Sequence, residues 1–316
     1  MKQVILTILA LILSVAIVMA QENCPPIDAA LLEALENCDE MASGTLCYGA
    51  GDIAIEHDAE EAAFESAGDT VLLQDVIAVE TAFDEEDNSV AIMNLNREDV
   101  RLALIAYDES RLENVAPRTT ISVYALRGVN VRATPSLDGT VVGSLLQGRD
   151  YTAVGRLADN TWIQVMLEDG RVGWSSAQYF VTQDGFTELE AVTPNTPPYL
   201  PMQALSLSTG DCGGLLLIAP ELEEETIIFG INGAQIQVTG IAWVRASDEL
   251  LEIVSIEGEQ VVNAFGFEVE IATGEQTSIP LSETGSLAGI PSDAEESELS
   301  LLGEEMVEIL VTQPLP

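Results

Sequence analysis

Short runs of alternating apolar and polar residues recur along most of the chain, and this period of two predicts a protein built mainly from β-strands. Before residue 121 the clearest runs are Val71–Val79, Val90–Leu95 and Val100–Tyr107. After residue 204 seven short runs follow one another, and glycines separate most of them. They are Leu215–Ile218, Thr226–Phe229, Gln235–Val238, Ile241–Arg245, Leu251–Ile256, Gln260–Ala264 and Phe267–Ile271.

Two segments depart from this alternation. Apolar residues recur near helical spacing at Ile27, Leu31 and Leu35, after Asp28 as a helix N-cap, and they predict a short amphipathic helix. The acidic tail after residue 285 predicts a second, weak helix from Glu295 to Val311. Between the two β-rich regions, residues 192–201 read VTPNTPPYLP, a proline-rich linker that favours no regular element.

Residues 122–181 carry the most regular pattern of short strands and tight turns. The strand segments include VNVRATPS, VVGSLLQG and WIQV, and the segment DGRVGW predicts a hairpin. Turns at Gly139, Gly148 and Gly170 separate these strands, and Gly148 and Gly170 suit turns with positive φ angles. This pattern predicts a small antiparallel β-barrel.

The same segments, together with the closing Tyr179, resemble the bacterial SH3 domain over about sixty residues. The resemblance implies an SH3-like barrel that engages cell-wall peptide. Trp174 and Tyr179, with Asn160 nearby in the sequence, are the candidate ligand-binding residues, because aromatic side chains with a polar group suit shallow binding surfaces. In the alternative interpretation, Trp162 and Trp174 only fill and cap the barrel core.

We therefore predict a mainly β, multi-module protein with a central SH3-like barrel. The C-terminal β-sandwich or β-roll is similar to the β modules of FecR-like periplasmic proteins. The order of modules resembles that of secreted proteins from Chloroflexota-type bacteria. The predicted divisions are a signal peptide (1–20), an N-terminal α+β cysteine-bearing domain (21–121), the barrel (122–182), a proline-rich linker (183–204), a C-terminal β module (205–285) and an acidic tail (286–316).

The first twenty residues have the layout of a secretory signal peptide. Lys2 precedes an apolar run from Val4 to Met19, and small residues end the segment, which predicts cleavage after Ala20. This run is shorter than the roughly 20 residues that cross a bilayer, and no later stretch predicts a membrane span. The QENC segment disfavours lipid attachment at Cys24. We predict a secreted, extracytoplasmic protein of the cell envelope or exterior.

Strong acidity narrows the range of partners. Without Lys2 the chain has 10 basic and 53 acidic residues, a formal net charge of −43. Such a surface repels phosphate backbones and anionic headgroups, so we predict no nucleic-acid partner and no electrostatic membrane docking. The simpler interpretation is that these charges form a solvated acidic surface without a specific partner.

Four cysteines in an exported chain predict disulfides. They are Cys24, Cys38, Cys47 and Cys212, and they allow three pairings. Because the first three are close together in the sequence and Cys212 is far from them, one of two complete bridges would join the N-terminal segment to the region after the barrel. We predict no metal site, because the sequence has no Cys-x-x-Cys pair and His57 is its single histidine.

Catalytic signatures are absent from the sequence. It contains no Gly-x-Ser-x-Gly motif, and the single histidine would have to serve any triad. The residues around its many Asp and Glu side chains do not single out any pair as the acid and nucleophile of a glycosidase. We predict a non-enzymatic binding protein without catalytic residues or cofactors, whose partner is cell-wall peptide or another envelope protein. Two alternatives stay open: an extracellular scaffold with the barrel as a spacer, and an enzyme with an unrecognised carboxylate site.

Overall fold

A computed structural model describes residues 27–58, 64–82, 88–95, 103–116, 120–167, 172–182, 185–194, 199, 201–219, 227–297 and 302–312. Within these ranges the chain forms 24 strands, two α-helices and three single 3-10 turns. The fold is mainly β with several sheets, which confirms the predicted fold class.

The elements fall into three groups along the chain. The first group contains helix α1 (Asp28–Asn37) and strands β1 (Thr45–Ala50), β2 (Ile53–His57), β3 (Thr70–Leu72), β4 (Val76–Thr81), β5 (Val90–Asn94), β6 (Ala103–Tyr107) and β7 (Ser110–Asn114). The second contains β8 (Ile121–Ala125), β9 (Val129–Arg132), β10 (Val141–Leu145), β11 (Asp150–Arg156), β12 (Trp162–Met166), β13 (Val172–Ser176) and β14 (Phe180–Val181). The third contains β15 (Ala204–Thr209), β16 (Gly214–Ala219), β17 (Ile227–Ile231), β18 (Ala234–Val238), β19 (Gly240–Ala246), β20 (Leu250–Glu257), β21 (Gln260–Ala264), β22 (Phe267–Ile271), β23 (Glu275–Pro280), β24 (Glu295–Glu296) and α2 (Glu304–Thr312).

These strands form three sheets. Sheet A has nine strands in the order β24-β23-β20-β19-β16-β6-β5-β1-β3, and sheet B has eight in the order β2-β4-β7-β15-β17-β18-β21-β22. The third sheet is the barrel, with seven strands in the order β10-β9-β13-β12-β11-β8-β14. Sheets A and B therefore each combine strands from before and after the barrel.

In each of these two sheets, a central pair of strands joins a segment from before the barrel to one from after it. In sheet A, β6 pairs antiparallel with β16, with Ile105 opposite Leu216. In sheet B, β7 pairs antiparallel with β15, with Leu112 opposite Leu207. Segments 21–121 and 205–285, which the sequence analysis separates, thus share one two-sheet body. The barrel is an insertion between two adjacent strands of this body.

Strand β16 shows how the body is layered. All six of its residues are buried, and successive side chains point to opposite faces of a strand. Leu215 and Leu217 belong to the core between sheets A and B. Leu216 and Ile218 belong to a second core on the outer face of sheet A, which α1 and α2 cover. The body is a β-sandwich with a helical layer on one side.

Helix α1 lies close against sheet A. Leu31 and Ala34 are fully buried on its inner face. Opposite them Gly49 leaves the necessary space, because a Cβ at this position would lie 2.6 Å from Ala34 Cβ and 2.5 Å from the carbonyl oxygen of Val90. The close approach therefore depends on the absence of a side chain at residue 49.

A disulfide ties the end of α1 to strand β1. Cys38 follows the helix and is bonded to Cys47, with their Cα atoms 6.1 Å apart. Cys212 is also disulfide-bonded, whereas Cys24 lies outside the described residues. The expectation of disulfides is confirmed for Cys38 and Cys47, and the long-range bridge stays a prediction for peptide mapping under non-reducing conditions.

The tail differs from the single predicted helix over Glu295–Val311. It begins as the two-residue strand β24 at the edge of sheet A, and helix α2 starts at Glu304. Met306 and Leu310 are buried in the outer core that α1 shares. The Gly303 N–H lies 3.3 Å from an Asp28 carboxylate oxygen, so the tail packs beside the first helix.

Several corners carry the chain from one sheet to the other. The predicted strand Val71–Val79 is wrong at its centre, because residues Leu73–Asp75 form a 3-10 turn. This turn separates β3 in sheet A from β4 in sheet B. Leu73 is itself buried, and its N–H donates to the Gly44 carbonyl at 2.8 Å. Because Leu73 is apolar like the strand residues around it, the sequence does not show that the strand ends there.

Gln260 connects two further corners. Thr239 lies between β18 of sheet B and β19 of sheet A, and Glu257 ends β20 of sheet A just before β21 of sheet B. The fully buried Gln260 side chain accepts the Thr239 N–H at 3.0 Å. It donates to the carbonyls of Thr239 at 2.9 Å and Glu257 at 3.0 Å. A Cβ at Gly258 would lie 2.1 Å from the Thr239 carbonyl oxygen, so the two corners pack directly on each other.

The corner between β6 and β7 contains a buried carboxylate. Asp108 and Glu109 have φ angles of 30° and 24°, a conformation that non-glycine residues rarely adopt. The Asp108 side chain accepts the Ser89 N–H at 2.8 Å, and Asp108 is only 2% exposed. Burial raises the pKa of Asp108 to about 6, and the Glu109 charge adds to the effect while the Ser89 N–H opposes it.

Replacing Asp108 with Asn is expected to stabilise the protein above pH 7. Because the folded pKa of Asp108 lies above its ordinary value, its contribution to stability is complete below about pH 4 and is lost as the pH rises through about 6. Asn keeps the acceptor for Ser89 and tolerates the positive φ. We expect a gain of about 1–3 kcal/mol at pH 8 and almost none at pH 4, measured by urea unfolding. Equal differences at both pH values would contradict the raised pKa.

Candidate ligand-binding groove

The barrel is held together by a core of its own and by tight turns. Its core residues come from strands β8 to β12 and β14 and from the segment that follows β14; among them are Val123, Val131, Leu145, Ala153, Ile163, Val165, Phe180 and Leu189. At one turn Gly148 has φ 80°, and its N–H donates to the Ala125 carbonyl at 2.9 Å. These features agree with the predicted barrel and with the predicted positive-φ turn at Gly148, whereas Gly170 lies outside the described residues.

A groove of about 260 Å³ opens on the surface of the barrel. The residues that give it its chemistry are two arginines and two aromatic residues, with an apolar and a hydroxyl side chain beside them: Arg127, Arg132, Trp162, Tyr179, Leu137 and Ser176. Leu137 is 72% exposed, so the groove has an apolar rim that faces solvent. The groove therefore offers aromatic, cationic and apolar surfaces together.

Regular backbone contacts fix both aromatic residues of the groove. Trp162 begins β12 and lies opposite Ser176 at the end of β13. Tyr179 ends the 3-10 turn Ala177–Tyr179, and its carbonyl accepts the Leu126 N–H at 2.9 Å. Both aromatic side chains are half-buried. They present ring surface to the groove while their backbones belong to the barrel framework.

The two arginines are held in different ways. The Arg127 guanidinium carbon lies 4.1 Å from the centre of the Tyr179 ring, a cation–π contact. Arg132 donates from Nη1 to the Gly139 carbonyl at 2.7 Å. Its backbone lies between β10 and β13, opposite Val141 on one side and Trp174 on the other. Each cation is thus oriented by contacts within the barrel.

The structure separates the three predicted binding residues. Tyr179 lines the groove. Trp174 is fully buried in β13, where all four residues from Val172 to Ser175 are buried, and it presents no surface to a ligand. Asn160 lies in the turn before β12, with φ 57° and its N–H donating to the Leu157 carbonyl at 2.9 Å. Neither Trp174 nor Asn160 lines the groove.

Three groove residues escaped the sequence analysis as binding candidates: Arg127, Arg132 and Trp162. The signal that distinguishes Trp162 from Trp174 is its position. Trp162 is the first residue of its strand after an exposed turn, whereas Trp174 stands inside a strand and is flanked by the small residues Gly173 and Ser175. A residue inside a strand has partners on both neighbouring strands, as Trp174 has Gln164 and Arg132 opposite it, and this position favours burial.

Charge is unevenly distributed along the chain. Residues 121–182 contain five arginines and five acidic residues, so the barrel sequence has no formal net charge. All of the net charge of −43 after residue 20 is carried by the rest of the protein. The groove with its two arginines therefore belongs to a neutral module inserted into a strongly acidic body.

Neither a metal cluster nor a membrane-spanning helix occurs in the parts of the chain that the structure describes. No group of three or more His, Cys, Asp and Glu side chains there is arranged to hold a metal ion. Over the same ranges, no helix is both long enough and apolar enough to cross a membrane. His57 ends β2 in sheet B and does not line the groove.

The architecture and the groove define a small SH3-type barrel carried by a larger β-sandwich. Comparison with known families agrees, because residues 127–181 match the bacterial SH3 domain family. The protein therefore contains a bacterial SH3 domain, as the sequence resemblance indicates. No curated protein matches the chain significantly.

Two solved structures show a weak similarity to this fold. Both are crystal structures, at 1.65 and 2.50 Å resolution, of a protein from Parabacteroides distasonis that is described as a presumed anti-sigma factor. Each is 14% identical to this chain and has a TM-score of 0.24, at which the two folds are not shown to be the same. The similarity covers 57% of this chain and 60% of that chain, so the matched part spans less than two thirds of the solved protein.

Proposed function

We propose that this protein is a non-enzymatic binding protein of the bacterial cell envelope or exterior, and that its barrel holds cell-wall peptide in the groove. The observation that carries the proposal is the groove of Trp162, Tyr179, Arg127 and Arg132 on a barrel that matches the bacterial SH3 family. A bacterial SH3 domain is a binding domain. The Cys38–Cys47 disulfide supports an oxidising, extracytoplasmic location.

The size of the groove favours a small ligand. Its volume of about 260 Å³ lies just below the roughly 300–1,000 Å³ typical of small-molecule sites. Half-buried aromatic rings bind flat, partly apolar groups such as peptide planes at low entropic cost. A short peptide therefore fits this surface better than a folded partner does.

A sedimentation assay on purified peptidoglycan tests the proposal. We expect the parent protein to bind, and Trp162→Ala and Tyr179→Ala each to weaken binding at least tenfold, because each removes ring surface from the groove. Tyr124→Ala is the matched control, since Tyr124 is a 42% exposed aromatic residue of the same barrel outside the groove. Failure of the parent to bind would refute the proposal, as would unchanged binding by both groove variants.

The same assay bears on the two alternatives. A scaffold that uses the barrel as a spacer predicts no peptidoglycan binding by the folded parent protein. An enzyme predicts a change in the peptidoglycan itself, which chromatography of the released fragments would reveal after incubation. Binding without released fragments supports the proposed function.

A further inference from the structure

We infer that the groove recognises a free carboxylate on its peptide ligand, and that Arg127 and Arg132 supply the recognition. This inference rests on the proposed function and specifies the chemistry of the ligand. It is carried by the contacts of the two arginines, by the contrast with arginines elsewhere in the chain, and by the distribution of charge between barrel and body.

Arg127 is positioned but not neutralised. Its guanidinium carbon lies 4.1 Å from the centre of the Tyr179 ring, a cation–π contact. Across the described part of the chain its side chain has no hydrogen bond or ion pair. A contact with the ring face uses none of the five N–H donors as a conventional hydrogen bond, so they are available to bind a carboxylate with two parallel hydrogen bonds.

Arg132 has the same surplus of donors. Its hydrogen bond from Nη1 goes to a neutral backbone carbonyl, that of Gly139. A guanidinium carries five N–H donors, and a carbonyl removes none of its positive charge. Arg132 therefore brings a second oriented, uncompensated cation to the same groove.

The described arginines of the sandwich body, unlike the two in the groove, form ion pairs with acidic residues. Arg111 forms ion pairs with Glu80 at 3.2 Å and Glu113 at 2.8 Å. Arg245 forms one with Glu252 at 2.6 Å. Acidic residues are abundant enough in this chain to pair with every arginine, yet none of those described does so with Arg127 or Arg132. The two groove cations are available for a negative charge from outside the protein.

The charge of the body restricts which anions reach the groove. A body with a net charge of −43 repels long polyanions, whose charges extend well beyond a single groove. A short peptide with one or two carboxylates experiences less repulsion and gains the local attraction of both arginines. The combination therefore favours a carboxylate on a stem peptide over an anionic polysaccharide.

Isothermal titration calorimetry on the full-length protein tests the inference. The probes are a soluble cell-wall stem tetrapeptide with free carboxylates, the same peptide with its carboxylates converted to amides, and trigalacturonate. We expect the free acid to bind at least tenfold more tightly than the amide, and the difference to shrink as salt is raised. Trigalacturonate is expected to bind more weakly than the free peptide.

Substitutions of the two groove arginines test whether they cause the preference for the free carboxylate. Arg127→Gln and Arg132→Gln are each expected to weaken binding of the free acid at least fivefold and to weaken binding of the amide by a clearly smaller factor. Arg127→Lys keeps the charge but loses the paired donors, and we expect an intermediate loss. Arg111→Gln, with the same change in net charge on the body, is the matched control and is expected to bind like the parent. Circular dichroism confirms that each variant is folded.

The possible outcomes separate the inference from the proposed function. If the parent binds neither peptide nor peptidoglycan, the proposed function fails and the inference fails with it. If it binds acid and amide equally, the inference is overturned while the proposed function stands. Tighter binding of trigalacturonate than of the free peptide would also overturn the inference, because the carboxylate would then belong to a glycan.

Discussion

Trp174→Ala is expected to destabilise the barrel by about 3–5 kcal/mol, the usual cost of removing a fully buried tryptophan. Trp174 lies on β13 and is fully buried, so removal of its side chain is expected to leave a large cavity. A barrel of about sixty residues has little stability to spare, so we expect it to unfold. Hydrogen exchange read by mass spectrometry should show lost protection in 121–181 and retained protection in the sandwich.

Trp162→Ala is the matched comparison for this prediction. Trp162 is half-buried at the groove, so its removal is expected to cost less than half as much and to leave the barrel folded. The two tryptophans thus separate folding from binding. If both alanine variants were equally stable, the burial of Trp174 would be contradicted, and loss of peptidoglycan binding by Trp162→Ala would lose its meaning as a test of the groove.

Gln260→Leu is expected to have the second large effect, a loss of about 3 kcal/mol or more. The two side chains are similar in volume, so packing changes little. The amide, however, satisfies the Thr239 N–H and the carbonyls of Thr239 and Glu257, and an unsatisfied buried polar group costs about 1–3 kcal/mol. Urea unfolding at pH 7, followed by circular dichroism, measures the difference.

Gln260→Glu distinguishes the hydrogen bonds from the shape of the side chain. At neutral pH the carboxylate cannot donate to the two carbonyls and is buried as a charge, so this variant should also be destabilised. As the pH falls the protonated carboxyl regains one donor, and part of the loss should be recovered relative to Gln260→Leu. Identical losses for the two variants at every pH would show that the amide contacts contribute little.

Local features of the sequence predicted the barrel. Three of its six described strand pairs join sequence neighbours, as β12 and β13 do, and glycines such as Gly148 mark turns between strands. The resemblance to bacterial SH3 domains depends on those same local segments, and the family match at 127–181 confirms it. Hairpins between sequence neighbours are visible in a single sequence.

The sandwich body was predicted only as two sets of strands. Alternation shows which side chains share a face, but it does not identify the partner strand, and β6 pairs with β16 across the whole inserted barrel. The corner at Leu73 was also invisible, because its apolar residue continues the pattern of the strands on both sides. Long-range pairing and buried corners depend on tertiary contacts that no local window contains.

Of the three binding residues predicted from the sequence, only Tyr179 lines the candidate groove. Tryptophans on neighbouring strands look alike in a sequence, and the choice between Trp162 and Trp174 depends on which of them the folded protein buries. Arg127 and Arg132 carried no signal either, since surface arginines are ordinary. Their significance emerges only when the structure places them beside the aromatic rings and without an acidic partner among the residues it describes.

The position of the barrel between β7 and β15 has a consequence for how the chain folds. Those two strands pair directly, with Asn114 opposite Leu205, so an unfolded insertion would make the body close a loop of about 90 residues. A folded barrel brings its own ends together, because β8 pairs with β14, and it shortens the effective loop. A nascent chain that completes the barrel first therefore delivers both halves of the sandwich to each other at a lower entropic cost.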